Sequence, residues 1–165
     1  MLRALNSAIK DLDRSVIAHL GEHPDAETFT SLPRSGQINA AQVLAEWGDC
    51  RPAYDGPDAV ACLAGATPVT RQSGKHVQVG FRWACNKRFR QAMCTFADNS
   101  RHASPWAAAV YRAALARGCD HPHAIRILAR AWIRVIWRCW LDGVPYDPAK
   151  HGGAVRLTEM AASAA

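Results

Sequence analysis

Apolar residues recur along this chain in several rhythms, and each rhythm predicts an element. Leu2, Leu5, Ile9, Leu12 and Val16 follow one another at alternating spacings of three and four, with His19 or Leu20 next. That is the a/d seam of an N-terminal coiled-coil helix over residues 1–22, too short to be a stable coiled coil alone. Spacing leaves open whether the seam packs on the chain's own body or on a second copy, as a homodimer through residues 2–20. Residues 23–31, with Pro24, read as a linker.

Next comes a tight turn, Leu32-Pro33-Arg34-Ser35-Gly36, opening a helix that carries Val43, Leu44 and Trp47 and stops at Gly48. The turn resembles the second half of a helix-hairpin-helix motif, whose backbone N–H groups can meet a phosphate. Arg34 stands where that motif usually has glycine, and a plain joint between two core helices fits the same residues. Pro57 and Asp58 start a short helix through Leu63. Thr67–Thr70 and Val77–Phe81 are β-prone runs, predicting a small β-hairpin with Ser73 at its tip. A helix from Trp83 to Ala97 would turn Phe89, Met93 and Phe96 inward and carry Asn86, Lys87, Arg88 and Arg90 as a polar cluster.

Ser104-Pro105 is a helix start, a capping hydroxyl followed by proline in the first turn, and Gly118 suits its end. His121–Leu141 is the longest predicted helix. Its apolar residues, Trp132, Trp137 and Trp140 among them, cover most of the circumference, so it is the expected central helix. Arg126, Arg130, Arg134 and Arg138 line one stripe of it. They could track a phosphate backbone or form the helix's wet edge, and the second reading is preferred. Gly143 to Pro148 closes the folded part, and residues 151–165 read as a disordered tail. The expected fold is mainly α, with residues 32–150 as its principal domain.

Composition adds limits. A chain of 165 residues with 49% hydrophobic and 21% charged residues suits one ordinary domain with a real core. No membrane span is expected, because arginine interrupts the apolar segment near 125–141 at every fourth residue. Asp11 and Asp13 argue against a signal peptide, so a cytoplasmic location is expected, which only the family resemblance given below makes bacterial and nucleoid-associated. Cys50, Cys62, Cys85, Cys94, Cys119 and Cys139 contain no C-x-x-C pair and read as buried thiols. Cys119, His121 and His123 match no common zinc spacing, so no metal site is assigned.

Charge is uneven. Residues 1–58 hold nine acids against five Lys/Arg, and residues 59–165 hold five acids against fifteen. No acid falls between Asp58 and Asp98, whereas Arg71, Lys75, Arg82, Lys87, Arg88 and Arg90 all do. Such a run suits a phosphate-backbone or other polyanion binder, although a solubilising face would have the same composition.

The chemistry centres on Thr67-Pro68-Val69-Thr70-Arg71-Gln72-Ser73-Gly74-Lys75-His76. Arg71 and Lys75 can pair with phosphate oxygens, and a serine held between them could attack phosphorus if its proton is removed or a metal polarises the target. An ordinary basic turn, its serine bonded to its own backbone, fits these residues too. A serine hydrolase with Lys75 as base is disfavoured, since no G-x-S-x-G elbow surrounds Ser73.

The ordered set L-P-R-S-G-Q-I-N-A-A-Q-V-L-A-E-W-G-D (32–49), L-A-G-A-T-P-V-T-R-Q-S-G-K (63–75), N-K-R-F-R-Q-A-M (86–93) and D-G-V-P-Y-D-P (142–148) resembles a known domain. It is similar to the C-terminal transposase domain of the IS-one-ten / IS-one-sixteen, or bridge-recombinase, insertion-sequence family. The resemblance covers roughly residues 30–150. It implies that Ser73 is the nucleophile that links covalently to DNA, with Arg71, Lys75, Asn86, Lys87, Arg88 and Arg90 holding the strand. It also implies an N-terminal RuvC-like domain, absent from these residues, where magnesium would sit on acidic side chains, and a structured guide RNA. The seam at 2–20 then resembles the end of the connecting helix. Cys85 occupies a position where the family usually has glycine. On this reading the isolated chain binds nucleic acid but does not recombine it, and a non-catalytic remnant of a truncated transposase is the alternative.

Overall fold

The computed structural model describes residues 1–153. Its elements run α1 (Leu2–Glu22), α2 (Ala26–Thr30), α3 (Gln37–Trp47), α4 (Pro57–Leu63), β1 (Val69–Ser73), β2 (His76–Gly80), α5 (Lys87–Ser100), α6 (Pro105–Ala116), α7 (His121–Asp142) and α8 (Pro148–His151). The fold is mainly α with one two-stranded antiparallel hairpin, as the sequence predicts.

Helix α7 is the axis of the body. The Asp120 carboxylate accepts the His123 N–H at its start, and Gly143 in the left-handed conformation ends it. Leu128, Trp132, Ile133, Ile136 and Trp140 on this helix are fully buried. Helix α5 packs there through Phe89, Met93 and Phe96, and α3 contributes Val43, Leu44 and Trp47 to the same cluster. The Trp47 ring meets Phe29, Phe89 and Trp140 edge-on, with centroids 5.6, 6.0 and 5.9 Å away. Edge contacts of this kind suit the ring quadrupole and tie α2, α5 and α7 to α3.

The expected linker at 23–31 is folded instead. Residues 26–30 form α2, and Phe29 is wholly buried. Asp25, also buried, accepts hydrogen bonds from Arg51 Nη2 at 2.6 Å and Trp140 Nε1 at 3.0 Å. A five-residue helix is too short to show a period, so only its lone phenylalanine carried the signal. The first residue of the expected tail is folded as well. His151 belongs to α8 and packs against the Trp106 ring at 4.4 Å, while the tail expected from 151 lies, from residue 154 on, outside the described residues.

The seam of α1 does not pack on the chain's own body. Leu2, Leu5, Ile9, Leu12 and Val16 are all exposed, and Leu20 alone on this helix is buried. The arginine stripe of α7 is largely engaged: Arg130 and Arg134 reach Asp58 at 3.1 and 3.3 Å, and Arg138 reaches Asp142 at 2.8 Å. The preferred wet-edge reading therefore describes it well. The cysteines depart from expectation, since Cys50 is exposed and the other five are half-buried, all as free thiols. Among the described residues no helix is long and apolar enough to cross a membrane.

Candidate functional site: a serine hairpin beside a basic helix start

The hairpin is longer than its β-prone runs, because Arg71, Gln72 and Ser73 extend the first strand. Register pairs Arg71 with Gln78 and Ser73 with His76, leaving only Gly74 and Lys75 in the turn. Gly74 has φ +57°, and among the described residues Arg34 alone is a non-glycine with positive φ. A positive angle at the first turn residue only is the pattern of a II′ turn, whose twist matches that of the flanking strands. Glycine after the serine is thus what lets the hairpin close where it does.

Because side chains alternate along a strand and paired residues share a face, the hairpin has two distinct sides. Arg71, Ser73, His76 and Gln78 lie on one, with Thr70, Gln72, Val77 and Val79 on the other. Every residue from Thr70 to Gly80 is exposed. His76 is the residue that sequence reading passed over. Directly opposed side chains in such a ladder have Cβ atoms about 5 Å apart, so Ser73 and His76 are neighbours on one face of the hairpin. The signal was present, since a two-residue turn puts residues i and i+3 opposite one another, but it required the exact length of the turn.

The root of the hairpin is held by arginines. Arg82 Nε donates to the Thr67 carbonyl at 3.1 Å. Arg90 donates to the Arg82 carbonyl and lies over the Phe81 ring at 4.5 Å. Gly65 makes room for that guanidinium, as a Cβ there would come within 2.6 Å of it and 2.9 Å of Cys85 Sγ. Cys85 therefore packs against this glycine. Arg90 is a strut, with its Nε buried, and does not stand with the exposed cations.

Helix α5 starts later than the sequence suggested. The Asn86 Oδ1 accepts the Arg88 and Phe89 N–H groups at 3.1 Å each, which makes Asn86 the cap and leaves Trp83 outside the helix, 76% exposed. Asn86 Nδ2 also donates to Glu46 at 2.6 Å. Its side chain is fully used in structure. Lys87 and Arg88 remain exposed in the first turn, with Arg88 3.5 Å from Glu46. No acid occupies that turn. Two cations at the positive end of a helix dipole oppose it, at about 0.3–1 kcal/mol each, so helix stability does not account for them. Of the six cations and amides named from the sequence, four are presented outward, namely Arg71 and Lys75 on the hairpin and Lys87 and Arg88 in the first turn of α5.

The turn before α3 holds Arg34 at φ +55°, the left-handed region that glycine adopts freely. An arginine there costs roughly 1–2 kcal/mol, which gives a conformational reason for a glycine at this point of the motif. Among the described residues no cluster of three or more His, Cys, Asp or Glu could hold a metal ion. The described side chains therefore do not fit a magnesium site.

The described residues thus form a helical body carrying an exposed serine hairpin and four outward cations. The family described as "Transposase IS116/IS110/IS902 family" matches residues 26–112, more than half of the chain, and the chain belongs to that family. It is 35% identical over 142 residues to the "Mini-circle putative transposase for IS117" of Streptomyces coelicolor, covering 84% of this chain and 34% of that protein. It is 30% identical over 149 residues to the "Insertion element IS900 uncharacterized 42 kDa protein" of Mycobacterium paratuberculosis, covering 88% of this chain and 37% of that protein. The "Insertion element IS110 uncharacterized 43.6 kDa protein" of Streptomyces coelicolor is 30% identical over 92% of this chain and 38% of its own length. The chain thus spans little more than a third of these relatives.

Proposed function

We propose that this chain is the serine-bearing, DNA-gripping part of an insertion-sequence transposase, and that Ser73 is the nucleophile of a phosphodiester transesterification. In that step the Ser73 oxygen forms a bond to phosphorus, the bond to one deoxyribose oxygen breaks, and the strand leaves with that oxygen. His76 takes the serine proton, as a general base within reach should. Arg71 and Lys75 stabilise the charge that builds on the phosphoryl oxygens. Lys87 and Arg88 hold the flanking backbone, and the exposed Trp83 offers a stacking face to an unpaired base. Asn86 and Arg90 shape the site without touching the strand.

The observation that carries this reading is the shared face of Arg71, Ser73 and His76 on a hairpin with no packing duty beyond its root. Magnesium would supply Lewis-acid chemistry from a RuvC-like partner domain. A structured RNA is proposed as the second nucleic-acid ligand. The uncovered seam of α1 supports a homodimer through residues 2–20.

Salt-dependent binding to duplex DNA and to structured RNA tests the gripping half of the proposal. Wild type should lose affinity steeply with salt, and a Lys87→Ala, Arg88→Ala double variant should flatten the logarithmic slope by about two. No binding at low salt, or an unchanged slope, would leave these residues as a solvated surface.

A further inference from the structure

Helices α1 and α3 leave a groove between them that neither the hairpin nor the start of α5 uses. It has a volume of about 660 Å³, opens to solvent and is lined mostly by apolar side chains. Buried Leu20 and Leu44 form its floor, Val16 and His19 stand on the α1 side, and Ile38 and Ala45 on the α3 side. Val16 and Ile38 are each 41% exposed, and Ala45 is exposed as well. The groove continues into the uncovered seam of Leu2, Leu5, Ile9 and Leu12, because Val16 belongs to both.

A seam of little more than two heptads is too short to hold two helices together in water. A stable interface buries about 800 Å² on each partner, and the groove adds apolar surface that the seam lacks. What covers both at once is an amphipathic helix with an apolar stripe of its own, and α1 of a second copy is such a helix. Charge and the seam then decide its direction. Parallel pairing would set His19 against the His19 of the second copy and bring both bodies to the same end. Residues 59–165 hold five acids against fifteen Lys/Arg, so those bodies repel each other. Antiparallel pairing puts them at opposite ends of a 21-residue helix, about 30 Å long. That is well beyond the screening length of about 8 Å in physiological salt.

We infer that α1 of a second copy lies antiparallel in this groove, while α1 of the first copy lies in the groove of the second. In an antiparallel pair each a position meets a d position. That register sets Leu2 against His19, Leu5 against Val16 and Ile9 against Leu12 of the other copy, so every seam position has a partner. Leu2 and Leu5 of the second copy enter the groove between Val16 and the α3 wall, where the small Ala45 lets a helix come close. The exchange is two-fold symmetric and closes the assembly at a dimer. This rests on the homodimer reading above, and adds to it a direction and a seat on α3.

The experiment uses the intact chain in two measurements. Sedimentation reads its oligomeric state, and oxidation of an equal mixture of Leu5→Cys and Val16→Cys chains reads the direction. Peptide mapping separates the new links from any made by the native cysteines. Wild type should sediment as a dimer, and links between positions 5 and 16 should dominate those that join 5 to 5 or 16 to 16. Ala45→Glu puts a charge on the groove wall at a site exposed in the single copy. Its far-ultraviolet circular dichroism should match wild type, while its dimer dissociation constant rises roughly tenfold. A dimer linked 5 to 5 and 16 to 16 would show parallel pairing and overturn the proposal, with the homodimer reading intact. A dimer that Ala45→Glu leaves unchanged would remove the groove as its seat and overturn the proposal too. A wild-type chain that sediments only as a monomer would sink the homodimer reading and this inference with it.

Discussion

The body around α7 and the hairpin that stands on it are built on opposite principles. In the body, large side chains interlock: Trp132, Trp140, Phe89 and Phe96 are fully buried, and the Trp132 indole N–H donates to the buried Ser100 hydroxyl at 2.7 Å. In the hairpin, every residue from Thr70 to Gly80 faces solvent, and order comes from a two-residue turn and an arginine-stapled root. A two-stranded ribbon is marginal in water on its own. The contrast teaches that the body carries the stability and leaves the hairpin's side chains free for a ligand.

Three substitutions press on this contrast. Trp132→Ala should have the largest effect, about 3–5 kcal/mol off the unfolding free energy, read by denaturant titration. A loss under 1 kcal/mol would mean that α7 is not the axis of the fold. Gly74→Ala places a Cβ at φ +57° in the turn, which costs roughly 1–2 kcal/mol locally. Hydrogen exchange should quicken in residues 69–80 with the global melting point nearly unchanged. A matching global loss would show that hairpin and body unfold as one.

Asp58→Asn should have the smallest effect. The Arg130 hydrogen bond, opposed by partial burial and helped by Arg134, holds the Asp58 carboxyl below its ordinary value. A carboxylate with a depressed folded pKa adds stability above its unfolded value and loses it as pH falls through the folded one. The pair is exposed, so the contribution is small. Wild type should therefore exceed the variant slightly at neutral pH and converge with it as pH drops below about 4. A gap that widens in acid would contradict the pairing.

Much of the body was legible in the sequence because long amphipathic helices repeat their signal. The cap at Ser104 marks its helix in chemistry as well as in period. What stayed hidden was short or shared. Helix α2 has one buried aromatic, and the start of α5 depended on whether Asn86 would cap or join the helix. The serine loop was visible as a string of residue types, but its face pairing was not. A change of one residue in the turn would have moved His76 away from Ser73. Arg90, read as one of several exposed cations, is drawn inward by contacts with Arg82 and Phe81, residues outside its own helix.

The most direct measurement supplies the chain with the remaining part of a longer relative, magnesium and donor DNA, and looks for a protein–DNA adduct under denaturing conditions. Wild type should give an adduct that peptide mapping places on Ser73, Ser73→Ala should give none, and His76→Ala should form it at least tenfold more slowly. An adduct that survives Ser73→Ala, or no adduct from wild type in that mixture, would contradict the account.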